Sequence, residues 1–360
     1  MFANAFSGKK VWLSGHTGFK GAWLAEWLLQ AGAQVHGFAL APETSPSLFD
    51  QLNLANRLSH EIADINHCET VAESIAQFQP DFVFHLAAQP LVRRSYRLPL
   101  ETYKTNVLGT IHVLEALRTF EHPCAAVIVT TDKCYENREN GLPYSEDDPL
   151  GGRDPYSSSK AMAEIAVAAY RQSYFQASLS PVKVATARAG NVVGGGDWAE
   201  DRIVPDCIRA LQSNQAIVVR NPSATRPWQH VLEPLSGYLW LAASLSQQAE
   251  APHTLNFGPN SESNRCVQDL VTEILKHWPG HWIDQSPQDG LHEAKLLNLS
   301  IDKAASTLGW RPVWNFEQTL QRTVEWYRRS LLNPSETLTL TRDQIESFCC
   351  DAKSAQLSWT

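Results

Sequence analysis

The sequence predicts an α/β fold, a doubly wound parallel sheet with a smaller C-terminal region. Three observations predict it. Short, nearly continuous apolar runs, as at 81–88 and 125–130, alternate with stretches of helical periodicity, as expected of strands covered on both faces. The β-α-β-α order holds through the first part of the chain, the pattern of a parallel sheet wound on both sides. A glycine-rich turn, Gly15-His16-Thr17-Gly18-Phe19-Lys20-Gly21, separates the first apolar run from the first helix.

Lys10-Val11-Trp12-Leu13-Ser14 reads as a buried strand. The helix after the turn is expected over 20–31, because Trp23 and Trp27, and Leu24 and Leu28, recur at i,i+4 on one helix face. Gly32 ends it as a left-handed cap. A second strand is expected over 34–40 and a short third at Ile62-Ala63-Asp64. A helix carrying Val71, Ile75 and Phe78 stops at Pro80. The fourth strand spans 81–88, a helix 102–119, the fifth strand 125–130, a helix from Pro155 to Phe175, and a strand 182–188. Beyond Arg188 the periodicity becomes irregular. We therefore divide the chain into a Rossmann-type nucleotide-binding domain over 8–190, an interleaved substrate-binding region over 191–330, and a polar tail over 331–360 expected as a peripheral arm.

Composition narrows the function classes. Net charge is −8, which repels nucleic acid and anionic bilayers. No apolar stretch is long enough to span a membrane. The seven cysteines are odd in number and show no C-x-x-C spacing, and no signal peptide is recognisable, so a reduced, cytoplasmic protein with no metal site is expected. Twelve tryptophans point to large buried or ligand-facing surfaces.

Two motifs carry chemistry. In the glycine turn the first glycine permits the tight bend, the next lets a pyrophosphate approach the backbone at a helix N-terminus, and the third lets helix and strand pack closely. The second strand ends Phe38-Ala39-Leu40-Ala41-Pro42, with neither an acid for a ribose nor an Arg for a 2′-phosphate; NAD is favoured over NADP. Asp64 is a candidate adenine contact, or else a turn or helix-cap carboxylate. Tyr156 and Lys160 are spaced i,i+4, and a neighbouring ammonium lowers a phenol's pKa, making it a base for a sugar hydroxyl. The fifth strand delivers Thr131, Asp132 and Lys133 at its C-terminal end, where ligands bind in such sheets. Thr131 can hydrogen-bond the reacting hydroxyl, and a buried, protonated Asp132 can donate to a leaving hydroxyl. The bland reading of this triplet is an Asx-capped turn with a solvated lysine.

These motifs, with His85-Leu86-Ala87-Ala88-Gln89 and Thr105-Asn106-Val107-Leu108-Gly109-Thr110, resemble the extended short-chain dehydrogenase/reductase family of NAD-dependent epimerases and dehydratases. Thr131-Asp132-Lys133-Cys134-Tyr135, Gly151-Gly152-Arg153-Asp154-Pro155-Tyr156, Gly190-Asn191-Val192-Val193-Gly194-Gly195-Gly196-Asp197-Trp198 and Arg226-Pro227-Trp228-Gln229-His230-Val231 resemble its CDP-glucose 4,6-dehydratases. The likeness covers about residues 8 to 330. It implies oxidation at C4 with Tyr156 as base, loss of water across C5 and C6 with Asp132 as acid, and reduction at C6, so that NAD is regenerated. Lys133 stands where related dTDP-glucose dehydratases carry a glutamate base. It is expected to act at C5 as base or enolate stabiliser, or only to orient Asp132.

The expected cofactor contacts are Gly15, Thr17, Gly18, Phe19, Lys20, Gly21, Asp64, Ile65, Leu86, Ala87, Ala88, Gln89, Asn106, Thr130, Tyr156 and Lys160. The expected substrate contacts are Gln89, Leu91, Ser95, Thr131, Asn191, Arg202 and Arg226; the resemblance matches Arg226 to a phosphate-binding arginine. It also implies a homodimer through the helices at 102–119 and 156–175. Two other readings compete: a sugar-nucleotide 4-epimerase, which has no need of Asp132 and Lys133, and a non-catalytic NAD-binding scaffold.

Overall fold

A computed structural model describes residues 1–138, 141–176, 180–248, 250–286 and 297–360. Seven strands form its central sheet: β1 (Lys10–Ser14), β2 (Gln34–Ala39), β3 (Ser59–Ile62), β4 (Phe82–His85), β5 (Cys124–Val129), β6 (Val182–Ala189) and β7 (Thr254–Phe257). Their order is β7-β6-β5-β4-β1-β2-β3, and every pairing is parallel. The order reverses between β1 and β4, so a crevice opens at their C-terminal ends.

Side-chain alternation divides the interior into two cores. Val11, Leu13, Phe82, Phe84, Ala125 and Val127 face one way, with α1 (Phe19–Gln30) and the helix at Leu232–Gln247. Trp12, Val83, Ala126 and Ile128 face the other, with residues of α2 (Cys68–Phe78), α3 (Gly109–Arg118) and α4 (Pro155–Ser173). The period of two along each strand is what serves both faces at once. Trp12, Trp23, Trp27, Trp310, Trp326 and Trp359 are fully buried, and Trp198, Trp228 and Trp314 are buried with them, so most of the tryptophans belong to the packing.

The third strand lies earlier than expected, at Ser59–Ile62, where it pairs with His36–Ala39. It is an edge strand with the polar run Ser59-His60-Glu61, which carries little apolar signal. The helix expected over 102–119 is interrupted by a π-helical turn at Lys104–Leu108.

Beyond β6, short strand pairs join Val192–Val193 to Gln229–His230 and Thr225–Pro227 to Asn264–Cys266. Between Gln229–His230 and Asn264–Cys266 the chain returns to the sheet as β7. The tail is not the expected peripheral arm. Residues Thr337–Ser354 form a helix that packs on α1. Leu340, Ile345, Phe348 and Ala352 bury one face of it, and Trp359 stacks on Phe2 with ring centroids 5.1 Å apart. A few apolar residues at helical spacing suffice, which a polar average composition hides. Glu26 of α1 is fully buried and accepts hydrogen bonds from Arg57 Nη2 at 3.1 Å and Arg342 Nε at 2.7 Å.

Candidate active site

A cleft of about 1040 Å³ runs along the C-terminal ends of the strands. One end is the glycine turn. Gly15 has φ +78°, and a Cβ there would stand 2.8 Å from the Ala87 nitrogen; only glycine allows this approach of the β1–α1 turn to the end of β4. At Gly21 a side chain would collide with the Gly15 carbonyl. Gly18, the N-cap of α1, would meet only that carbonyl, at 3.4 Å. Its face toward the cleft is thus open backbone at a helix N-terminus, without an acidic residue in the first turn. Such a cradle suits a pyrophosphate. Thr17 Oγ1 donates to the Leu40 carbonyl at 2.8 Å, tying the turn to the end of β2. No acid ends β2; Glu43 lines the cleft further on and pairs with Arg94 at 3.0 Å.

Beyond the glycine turn the cleft is lined by Thr130, Thr131, Asp132 and Lys133 after β5, Tyr156 and Lys160 of α4, and Asn191 after β6. Helix α4 starts at Pro155 with Asp154 as its N-cap, its carboxylate accepting from the Ser157 amide at 2.9 Å. That start puts Tyr156 in the first turn and Lys160 one turn on. Thr131 Oγ1 donates to Asp132 Oδ1 at 2.9 Å, and the Lys133 amide leans on the same hydroxyl at 3.4 Å. Asp132 is 1% exposed, and its Oδ2 has no partner. A buried carboxyl oxygen left unpaired costs about 1–3 kcal/mol, a cost removed when a hydroxyl enters the cleft.

The electrostatics differ from the sequence expectation in one respect. Burial pushes the Tyr156 phenol up to about 12; a hydrogen bond with Thr131 acts against this, as does the Arg202 charge, while the Asp132 charge adds to it. The i,i+4 spacing predicts that Lys160 lowers the phenol, but its Nζ donates to the Val129 carbonyl at 3.2 Å. Burial brings Lys160 itself down to about 8, against the opposing pull of Glu164. Lys20, whose Nζ lies 3.4 Å from the Tyr238 hydroxyl, is lowered to about 7 by burial and by the charges of Arg202 and Lys160.

Most residues named from the sequence line this one cleft: Gly15, Thr17, Gly18, Phe19, Lys20, Gly21, Ile65, Leu86, Ala87, Ala88, Leu91, Thr130, Thr131, Asp132, Lys133, Tyr156, Lys160, Asn191, Arg202 and Arg226. Asp64, Gln89, Ser95 and Asn106 are not among its lining residues. Asp64 caps a turn, accepting from the Asn66 amide at 2.9 Å. Ser95 accepts from the Tyr156 amide at 3.2 Å. Asn106, in the π-helical turn, holds the Gln89 backbone and donates to Ser159 Oγ at 2.9 Å. Gln89 bonds Thr102 and the Leu91 backbone. These polar side chains brace α4 and the end of β4 from behind. Arg202 pairs with Asp197 at 2.8 Å and acts electrostatically on Tyr156 and Lys20, which sets it near the reacting groups.

Sequence reasoning missed several residues. Arg93, Arg94 and Arg97 follow β4 and line the cleft, as does Arg220, which bonds Asp201 at 2.8 Å; the Val92-Arg93-Arg94-Ser95-Tyr96-Arg97 string was the available signal. Glu164 lies one turn beyond Lys160, 2.9 Å from Arg188 Nη2, with Thr130 and Thr186 also donating to it.

Comparison with known proteins agrees with this geometry. The chain is 46% identical over 351 residues to the CDP-glucose 4,6-dehydratase of Salmonella typhimurium, covering 96% of this chain and 97% of that one. It is 28% identical to the dTDP-glucose 4,6-dehydratase of Shigella flexneri over 76% of this chain and 79% of that one. Among solved structures, DesIV, a dTDP-glucose 4,6-dehydratase from Streptomyces venezuelae with NAD bound, matches with a TM-score of 0.77 at 22% identity, over 89% and 97% of the two chains. UDP-glucose 4-epimerase of Thermotoga maritima matches with a TM-score of 0.76 at 22% identity, over 89% and 99%; both likenesses are of fold. The family model described as GDP-mannose 4,6 dehydratase matches residues 13–323, and the chain belongs to that family.

Proposed function

We propose that this chain converts CDP-D-glucose to CDP-4-dehydro-6-deoxy-D-glucose and water, with NAD held at the glycine turn. The observation that carries the reading is the buried, unpartnered Oδ2 of Asp132 in the same cleft as Tyr156 and Lys160. The open face of Gly18 fits a pyrophosphate, and Lys160 and Tyr156, which line the same cleft, would hold the nicotinamide end. NAD held there would supply the hydride acceptor for C4 of the sugar and the hydride donor for C6.

The protein supplies the proton chemistry. Tyr156 accepts the C4 hydroxyl proton as its phenolate, a form that the Arg202 charge favours and that the positive nicotinamide of bound NAD would favour further. The 4-keto group acidifies C5–H, and Asp132 gives its proton to the departing C6 hydroxyl. Lys133 serves the C5 proton or the enolate, and Arg226 and Asn191 hold the nucleotide diphosphate side. The choice of cytidine rests on the 46% identity to an enzyme of that name. An epimerase has no need of an acid beside the reacting hydroxyl, and Asp132 therefore favours dehydration.

The test is incubation of the purified chain with NAD and CDP-, dTDP-, UDP- or GDP-hexoses, followed by mass spectrometry. A keto product lighter by one water from CDP-glucose is expected. A product of unchanged mass supports the epimerase, and NAD binding without turnover supports a scaffold.

The working form is a cytoplasmic homodimer without nucleic-acid or membrane partners. Leu100, Leu108, Met162 and Ile165 are exposed on the paired helical segments around α3 and α4, an apolar face that a second copy would cover. All seven cysteines are free, and among the described residues no helix is long and apolar enough to cross a membrane. Light scattering of the chain and of Ile165→Glu tests the dimer; an unaltered chain that runs as a monomer refutes it.

A further inference from the structure

The turn that carries Thr131, Asp132 and Lys133 is held at both ends by one buried ion pair. The Glu164 and Arg188 side chains meet at 2.9 Å and are 2% and 4% exposed. Glu164, on α4, accepts from Thr130 Oγ1, just ahead of the triplet. Arg188, on β6, donates through Nη1 to the Tyr135 hydroxyl at 2.7 Å, two residues beyond the triplet. The short helical turn Asp132–Cys134 is thus spanned by two hydrogen bonds that lead back to the same pair. Glu164, Arg188 and Tyr135 are not among the residues that line the cleft, so whatever they do for the reaction they do through the turn.

Counting protons fixes the direction of each bond. Asn256 of β7 donates through Nδ2 to the Tyr144 and Ser300 carbonyls at 3.0 and 3.1 Å, which leaves its Oδ1 as an acceptor. The Tyr135 hydroxyl has one proton and gives it to that Oδ1 at 2.7 Å. Toward Arg188, which can only donate, the hydroxyl accepts. The Tyr135 ring is buried, stacks on Tyr144 with centroids 5.2 Å apart, and has the Arg188 guanidinium carbon 4.9 Å from its centre. A buried hydroxyl satisfied on both sides makes a rigid anchor.

We propose that Glu164, Arg188 and Tyr135 are positioning residues for the elimination of water, setting where Asp132 and Lys133 stand against C5 and C6. The proposal rests on the dehydration reading above. The Asp132 carboxylate bonds Thr131 of the same turn, and its Oδ2 has no partner, so its place follows that of the turn. Tyr156 has separate anchors on α4: the helix is capped by Asp154, and Ser95 accepts the Tyr156 amide. Loosening the turn at Tyr135 therefore slows the loss of water more than the oxidation at C4.

The test compares the NAD-loaded full chain with Tyr135→Phe and Thr130→Val, each of which removes one hydroxyl at one end of the turn and keeps the bulk of the side chain. The substrate is CDP-glucose, unlabelled or with deuterium at C4 or at C5. For Tyr135→Phe we expect kcat lower by about 10- to 100-fold, the scale of a misplacement of up to about 1 Å, with KM little changed. The deuterium effect on kcat from C5, relative to that from C4, should rise above its value in the unaltered chain, and Thr130→Val should show the same rise. Undiminished turnover in Tyr135→Phe overturns the proposal. So does a slower enzyme whose C5-to-C4 ratio is unchanged or lower, the mark of a general loss of structure. If circular dichroism shows that Tyr135→Phe does not fold, Thr130→Val decides by the same two signs. Failure of the underlying reading shows separately, as an unaltered chain that releases water from no sugar nucleotide, and the positioning role is then lost with it.

Discussion

Replacing Glu164 by Gln should destabilise the protein severely, and its surroundings set the scale. Its side chain and that of Arg188 are 2% and 4% exposed. One carboxylate oxygen takes Arg188 Nη2 and Thr186 Oγ1, both at 2.9 Å, and the other takes Thr130 Oγ1. At an effective dielectric of about 20, unit charges about 4 Å apart attract by about 4 kcal/mol. Removing one partner of such a buried pair leaves the other uncompensated and costs about 3–5 kcal/mol. The assay is equilibrium unfolding in urea, with Arg188→Met and the double variant alongside. Each single change should cost about 3–5 kcal/mol, and the double should cost less than their sum by about 1–3 kcal/mol, as expected of contacting groups. A loss below about 1 kcal/mol for Glu164→Gln, or strict additivity, refutes the reasoning. A second readout follows from the sign of the field. Glu164 raises the Lys160 pKa, so without it Lys160 loses its charge at lower pH, and the alkaline fall of activity should move below about 8.

Three other outcomes follow from named residues. His16, His85 and His230 are buried, and burial holds each near pKa 3, against about 6.5 unfolded; below pH 6.5 the unfolded chain therefore binds more protons, and stability should fall by about 1.4 kcal/mol per pH unit per histidine. Urea unfolding between pH 6 and 4.5 checks this, and a flat profile refutes it. Gly21→Ala forces a methyl against the Gly15 carbonyl, overpacking worth about 1–3 kcal/mol; NAD affinity by calorimetry should fall about 10- to 100-fold, and an unchanged value would remove the glycine turn from the cofactor site. Lys133→Met should reduce turnover and slow exchange of the C5 proton with deuterated solvent by about 100-fold or more, whereas no change in either confines Lys133 to the turn.

Much of the fold was legible because local signals and tertiary structure agree. β4 and β5 are buried along their whole length, and the apolar runs that announced them are what such strands require. The glycine turn and the Tyr156/Lys160 pair were legible for a similar reason, since each function demands a particular residue at a fixed spacing. Other features carry no local mark. The sequence offers Ser95, Gln89 and Asn106 as ligand contacts because they follow β4 or lie in a family-like string, yet they hydrogen-bond inward; a strand end states where a residue emerges, not which way its side chain turns. The Tyr156 phenol was expected to be drawn down by Lys160, and i,i+4 spacing cannot reveal that the ammonium is occupied by the Val129 carbonyl. The role of Glu164 becomes visible only when Arg188, 24 residues on, is brought beside it.

The grip of Arg57 and Arg342 on Glu26 makes the two ends of the protein answer to one another. The helix that opens at Gly18 is the same helix on which Thr337–Ser354 packs, with Arg342 Nε bonded to Glu26 at 2.7 Å. A protease site engineered at Pro334–Glu336, just ahead of that last helix, puts this contact to use: slower cutting with NAD bound is expected, with weaker NAD binding after the cut by reciprocity, and equal cutting rates with and without NAD refute a link between the two ends.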